Sequence, residues 1–436
     1  MTVQQVKVSE NIHLSCIQTD KFKTGILTFT ILLPTNKQNT IYNMILPGVL
    51  RRGTERYPNI ASLNRRLDEL YASCVEIRTA RIGRNLALIF TAELLDECYS
   101  ADDTAILDGV LEIISQMLLH PNMQDNGFEP TIVEQEKRFE RDAIRATINN
   151  TRSYAAIRLS ELMLREDDTL PTLKERETGL TAITAQSLTE YYHKILQVAS
   201  LEVFYVGSTE ADVLTKKINR YFSKWHATPL STLLMPRAEI SAGYYADTET
   251  MPVSQGKLAM GFRTGVITEP SRDDCYIAMV FNEVFGGSPA SKLFMNVREK
   301  MSLCYYCSSS YSQYTGVITV SSGIEVSKRE IAEQAILAQL QDIQQGNISE
   351  TELHAARISL ENAYRQIYDN PFDLQTFYGI RSLFGIPGDI DECRKKIASV
   401  TKEQIVALAQ AVTCDTVFFI KGTLQGEAGQ EELEDE

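Results

Sequence analysis

Histidine is scarce in this chain. It has five in 436 residues, and His13, His120, His193, His226 and His354 are far apart. No two of them stand at a metal-motif spacing, so no histidine-based metal motif is expected. Long apolar runs are also absent, and none approaches the about 18 residues that a spanning helix needs. The opening MTVQQVKVSENIHLS lacks the basic start and apolar core of a secretion signal. The eight cysteines are scattered, which points to reduced thiols and a cytoplasmic location. Cys304 and Cys307 form one CxxC, but with no second pair and no nearby histidine a zinc knuckle or redox centre is not expected. Basic excess is missing as well. The 43 Lys and Arg face 57 Asp and Glu, for a net charge of −14, which argues against nucleic acid as partner. The segment GGSPASK lacks the glycine before lysine that a phosphate loop needs.

What is present reads as an ordinary soluble globular protein, 44% hydrophobic and 23% charged. The length exceeds what one core usually supports, so two or three domains are expected. Six acidic and no basic residues crowd the tail 427–436, which reads as a disordered, solubilising end. Two stretches about 215 residues apart repeat one plan. ITAQSLTEYYHKILQVASLEVFYVGS and VTKEQIVALAQAVTCDTVFFIKGT each give a capped helix, then an apolar strand ending at Gly207 or Gly422. Each half also opens with a strand, at 27–33 and 258–264.

Strands mixed with separate helices favour an α+β class. The expected domains are 1–226 and 252–426, joined by a proline-containing polar linker at 227–251 and followed by the tail. In the first half Asn59 caps a helix with Ile60, Leu63, Leu67 and Leu70 on one face. A hairpin is expected over 75–80 and 85–91 with its turn at Gly83. A long charged helix is expected over 131–145. In the second half a helix over 272–285 stops at Gly286 and Gly287. Ser288 and Pro289 restart it as N-cap and first residue, and it ends near Arg298. Strands at 305–311 and 317–321 follow.

The stretch FNEVFGGSPASKLFMNVREKMSLCYY carries a dense pattern. Asn282, Gly286, Gly287, Ser291, Leu293, Phe294, Arg298, Glu299, Leu303 and Tyr305 match N-x-x-x-G-G-x-x-x-S-x-L-F-x-x-x-R-E-x-x-x-L-x-Y. This resembles the C-terminal domain signature of the pitrilysin and mitochondrial processing peptidase family, the inverzincins. Within that family it is similar to the bacterial YmfF-like subgroup. The resemblance spans nearly the whole chain. It implies two homologous domains, each a mainly antiparallel sheet with helices on one face, forming a clam-shell cavity. It implies catalytic contributions from Arg298 and Tyr305, and substrate binding at Gly286, Gly287 and Ser291. A guanidinium offers a rigid fan of donors to peptide carbonyls. A phenol can donate to a carbonyl that becomes an oxyanion. Tyr306 is expected on the opposite side of its strand, so Tyr305 is preferred.

The metal half of the family's site is missing. MILPGVLRRGT keeps the Gly53–Thr54 anchor, but the H-x-x-E-H positions fall on Met44, Pro47 and Gly48. A thioether is a poor zinc ligand, and Pro and Gly offer no side-chain donor. Proline inside a helix costs about 3 kcal/mol and glycine about 1, so the metal helix is expected to be broken or shortened. VEQEKRFERDAIR resembles the family's E-K-x-x-x-x-E-E-I, with Glu136 on the outer glutamate and Ala143 at the ligand position. The resemblance therefore implies no metal in this chain, and zinc in a partner that carries H-x-x-E-H. It implies a non-catalytic subunit of a heterodimeric zinc peptidase acting on a peptide, inactive alone, with no nucleic-acid or membrane partner. A proteolytically inactive scaffold or peptide-binding protein of the same fold remains the alternative.

Overall fold

The computed structural model describes residues 3–167, 169–225, 234–235, 237–238 and 243–423. The acidic tail 427–436, His226 and most of the expected linker lie outside the described residues. The chain forms two compact units. The first comprises Met1–Arg145, Asp168–Met235 and Gln366–Pro387, the second Ala146–Asp167, Pro236–Arg365 and Gly388–Glu436. The expected contiguous halves therefore differ from the compact units by an exchange of two short segments.

The first unit is built on six strands: β1 (Gln4–Ser9), β2 (Ile12–Gln18), β3 (Thr24–Pro34), β4 (Cys74–Ile82), β5 (Asn85–Leu95) and β6 (Leu201–Gly207). Their order is β1-β2-β6-β3-β5-β4. Only β2 and β6 run parallel; the other pairs are antiparallel. The expected hairpin is β4–β5, turning at Gly83 with φ of 60°. Along β3 the side chains alternate. Leu27, Phe29, Ile31 and Leu33 enter the main core, where Phe29 stacks on Phe222 at 4.8 Å between centroids. Thr28 and Thr30 face the other way, yet both are buried. That second face is covered by the helix Pro371–Phe384, which packs on β6 and β3.

Local signals explain most of the helices. Asn59 accepts a hydrogen bond from Ser62 N at 2.9 Å, and Ser62 Oγ accepts one from Asn59 N at 3.3 Å, opening the helix Ile60–Glu69 with a capping box. Leu63, Leu67 and Leu70 are buried, whereas Ile60 is exposed. The helix starting at Ala185 is capped in the same way by Thr184, and the one starting at Lys402 by Thr401.

The second unit repeats the plan with β7 (Tyr245–Met251), β8 (Gly256–Arg263), β9 (Cys304–Ser312), β10 (Val317–Ile324) and β11 (Thr413–Gly422), in the order β7-β11-β8-β10-β9. Again one pair, β7 with β11, is parallel and the rest are antiparallel. The end of the expected linker is thus strand β7. The helix Thr151–Met163, early in the chain, packs on β8 and β11. Its Ala155, Leu159 and Met163 join Met251, Ala259, Phe418 and Ile420 in one cluster, and Arg263 donates to Met163 O at 2.7 Å. The α+β class and the mainly antiparallel sheets are as expected. The exchanged helices are locally capped, by Asn150 and Asn370, but no local sequence signal says which sheet each one covers. Among the described residues no helix is long and apolar enough to cross a membrane.

Candidate functional site

The degenerate motif lies on the helix Lys37–Arg51, which is continuous with Pro47 inside it. The sequence predicts a broken or shortened helix, and the structure corrects this. Pro47 removes one hydrogen bond, that to the Asn43 carbonyl. Against that cost of about 3 kcal/mol, the helix buries Ile45, Leu46, Val49 and Leu50, each worth about 1.5–3 kcal/mol. Asn43 adds an anchor by donating to Asn39 O at 2.9 Å and to the Tyr191 hydroxyl. Asn36 caps the start, accepting from Asn39 N at 2.8 Å.

Met44, Pro47 and Gly48 share one helix face, at the i, i+3, i+4 spacing, and all three are half-buried. That face meets the helix Pro130–Ala146 at one point. The Glu136 carboxylate lies so close to Gly48 that an added Cβ would stand 2.1 Å from Glu136 Oε2. Glu136 is 9% exposed. It is held by Arg52, whose Nε donates to Glu136 Oε1 at 2.6 Å while its terminal nitrogen makes a second contact with the same oxygen. One turn further, Glu140 is partly buried. Burial, and then the charge of Glu136, push its carboxyl above the ordinary carboxylate range. Ala143 is exposed. Gly53–Thr54 forms a tight turn: Thr54 N donates to Tyr57 O at 2.7 Å, and Tyr57 N donates to Thr54 Oγ1 at 2.9 Å.

This donor set does not fit zinc. Met, Pro, Gly and Ala supply no hard or imidazole ligand, and the carboxylate against Gly48, that of Glu136, is paired with a guanidinium. Among the described residues no group of three or more His, Cys, Asp or Glu could hold a metal ion. Sequence reasoning placed Glu136 but missed its partner. The signal was available: an arginine directly after the lost motif and a glycine small enough to admit a carboxylate.

In the second unit, the helix from Asp274 runs through Asn282 and widens into a π-type turn over Glu283–Gly287. It resumes over Leu293–Lys300, again with wide hydrogen bonding. Gly286 is buried, and an added Cβ there would lie 2.9 Å from Ser309 N, so its smallness lets the segment approach β9. Ser291 is 1% exposed. Both residues, expected to meet substrate, pack inside the unit; Gly287 is exposed. Lys292, also buried, bridges Asp342 at 3.1 Å and Glu352 at 3.0 Å.

Arg298 sits near the end of this segment. Its side chain is 39% exposed, with Nε 3.7 Å from Glu299 Oε1 and Cζ 4.6 Å from the Phe294 ring centroid. Backbone bonds from Met301 N to Asn296 O at 2.9 Å and from Leu303 N to Val297 O at 3.2 Å fix the turn into β9. The β9–β10 register shifts there. Cys304 pairs with Ile324 and Tyr306 with Gly323, leaving Tyr305 as the extra residue of a bulge. The two tyrosines differ sharply. The Tyr306 ring lies over Gly323, with Arg152 at 4.4 Å and Lys257 at 5.4 Å from its centroid. Tyr305 is half-exposed and makes no hydrogen bond or ring contact among the described residues. The hydrogen bond with Cys307, then Ser322 and the charge of Arg298, hold the Cys304 thiol below its ordinary pKa despite burial.

Two duplicated α+β units, one with a dismantled metal helix and one with an exposed Arg/Tyr stretch, define a metallopeptidase fold without its metal centre. The comparisons agree. A family profile described as "Peptidase M16 inactive domain" matches residues 182–360. The chain is 32% identical over 408 residues, covering 93% of itself and 95% of the other protein, to the "Probable inactive metalloprotease YmfF" of Bacillus subtilis strain 168. The chain belongs to the M16 peptidase family. Among solved structures it resembles a conserved protein from Enterococcus faecalis V583, with a TM-score of 0.89 and 25% identity, over 98% of this chain and 100% of that one. A peptidase M16 inactive domain from Pseudomonas fluorescens shares the fold, with a TM-score of 0.76 and 13% identity, over 98% and 100% of the two chains.

Proposed function

We propose that this chain is the zinc-lacking subunit of a heterodimeric zinc metallopeptidase, inactive alone and completed by an H-x-x-E-H homologue. The observation that supports this reading is the contrast between Tyr305 and its neighbours. Tyr306 packs over the sheet, Lys292 bridges two carboxylates, and Ser291 is buried, while Tyr305 and Arg298 stay partly exposed on a rigid bulge and helix end. A half-exposed phenol without a structural partner is more useful to a ligand than to the fold.

In this reading Arg298 donates its N–H groups to carbonyl oxygens of an extended peptide and holds it in register. The Tyr305 O–H donates to the scissile carbonyl oxygen as negative charge develops there. Zinc belongs to the partner, where it supplies the activated water. The test is a peptidase assay of this chain, of the partner, and of the mixture. Activity confined to the mixture, and lost with Arg298→Ala or Tyr305→Phe, is the expected result. Full activity of the partner alone, or a mixture indifferent to both substitutions, would sink the proposal.

A further inference from the structure

The first unit contains a cavity of about 500 Å³ between its sheet and the helix Pro371–Phe384. Its floor is set by strand register. His13 pairs with Glu202, Glu202 with Thr30, Thr30 with Ile89, and Ile89 with Arg78, so these five form one row across β2, β6, β3, β5 and β4. Registered neighbours share a face. The row therefore runs from a hydrogen-bonded imidazole and carboxylate, through a hydroxyl and an apolar side chain, to a guanidinium.

Three features of this cavity are not explained by the fold. First, Thr28, in the adjacent row and 2% exposed, has a hydroxyl with no hydrogen-bond partner. A buried unpaired hydroxyl is a cost that a valine would avoid. Second, Arg78 is half-buried at the cavity and makes no ion pair or hydrogen bond among the described residues. The cavity's one carboxylate, Glu202, is already taken by His13 Nδ1 at 2.8 Å. Third, the roof helix carries Gly379 mid-span, where an added Cβ would stand 3.1 Å from Gln375 Nε2 and 3.7 Å from the Phe204 ring. Helical glycine is unfavourable unless space or approach requires it.

We propose that this cavity binds a small organic acid with an apolar body, of the medium-chain alkyl carboxylate type. The size is within the about 300–1,000 Å³ typical of small-molecule pockets. Ile89, Phe204, Ile380 and Leu383 line it with apolar surface. Arg78 takes the carboxylate through paired N–H donors. A neutral lipid would leave Arg78 without a partner, and a cation would meet it as a like charge. This site is separate from Arg298 and Tyr305 and does not rest on the peptidase reading.

The experiment is calorimetric titration of the full chain with decanoate and, in parallel, with decan-1-ol. One saturable decanoate site is expected. Arg78→Ala should weaken decanoate about tenfold or more and leave decanol unchanged. A rise in Tm with decanoate, present in the parent and reduced in Arg78→Ala, is the second readout. Absence of saturable decanoate binding overturns the proposal. So does decanol binding as tightly as decanoate, or Arg78→Ala binding decanoate like the parent.

Discussion

The two stretches that match the family differ in what their side chains touch, and the difference separates residues held within a unit from residues left partly exposed. On the helix Lys37–Arg51 the space of a metal centre is closed. Glu136 lies against Gly48, Arg52 holds Glu136, and the core holds a helix that its own proline disfavours. Arg52 and Glu136 are paired with each other. Around Arg298 and Tyr305 the frame is equally firm, with buried Gly286, Ser291 and Lys292. The two side chains at its edge are left open. A site that has only decayed would be expected to fill in on both sides.

The comparison can be broken or sharpened by experiment. The largest effect is expected in the reconstituted mixture, where Tyr305→Phe should reduce turnover by about 10²–10³-fold, the range for loss of one oxyanion donor. Tyr306→Phe keeps its ring contacts and should leave turnover near the parent value. Equal losses would erase the distinction between the two tyrosines. Next is Gly48→His, which forces a side chain into the Glu136 carboxylate. It should lower stability by about 1–3 kcal/mol, read by denaturant titration. The triple change Met44→His, Pro47→Glu and Gly48→His should bind no stoichiometric zinc by metal analysis. Stoichiometric zinc would mean that the first site is vacant rather than refilled. Arg52→Ala strips a mostly buried carboxylate of its partner and should cost about 1–3 kcal/mol. Pro47→Ala restores the missing N–H and should raise stability by about 1 kcal/mol or more. Loss of stability there would show that the helix depends on its proline.

The smallest effect concerns pH. The Glu140 pKa is raised in the folded state, so between its ordinary and raised values the folded chain binds more protons than the unfolded one. Stability should therefore fall as pH rises through that window. Glu140→Gln should remove this slope, making the variant more stable than the parent above the window and equal to it below. A variant with the parent's pH dependence of Tm would contradict this assignment.

Much of this was legible locally. The β4–β5 hairpin and the Asn59 cap depend on residues within a few positions of each other, and so does the glycine stop at Gly286–Gly287. What stayed hidden is set over long distance. Pro47 signals a helix break, and only burial of Ile45, Leu46, Val49 and Leu50 overrides it. Arg52 and Glu136 are 84 positions apart, so their pairing has no periodic trace. The bulge at Tyr305 comes from register against Gly323 and Ile324, and strand alternation alone cannot show it. Gly286 and Ser291 match the signature as clearly as Arg298 does. Burial, not pattern, tells the packing members from the open ones.

The exchange of two helices also constrains how the protein is made. The first unit lacks Pro371–Phe384 until residue 384 has been synthesised, although the rest of it ends at Met235. At about 5–20 residues per second, the buried threonine face of its sheet waits on the order of ten seconds for its cover. Cutting the gene between the two halves would then yield two products, each short of a helix that the other carries. Neither should become fully native until both are present in the same cell.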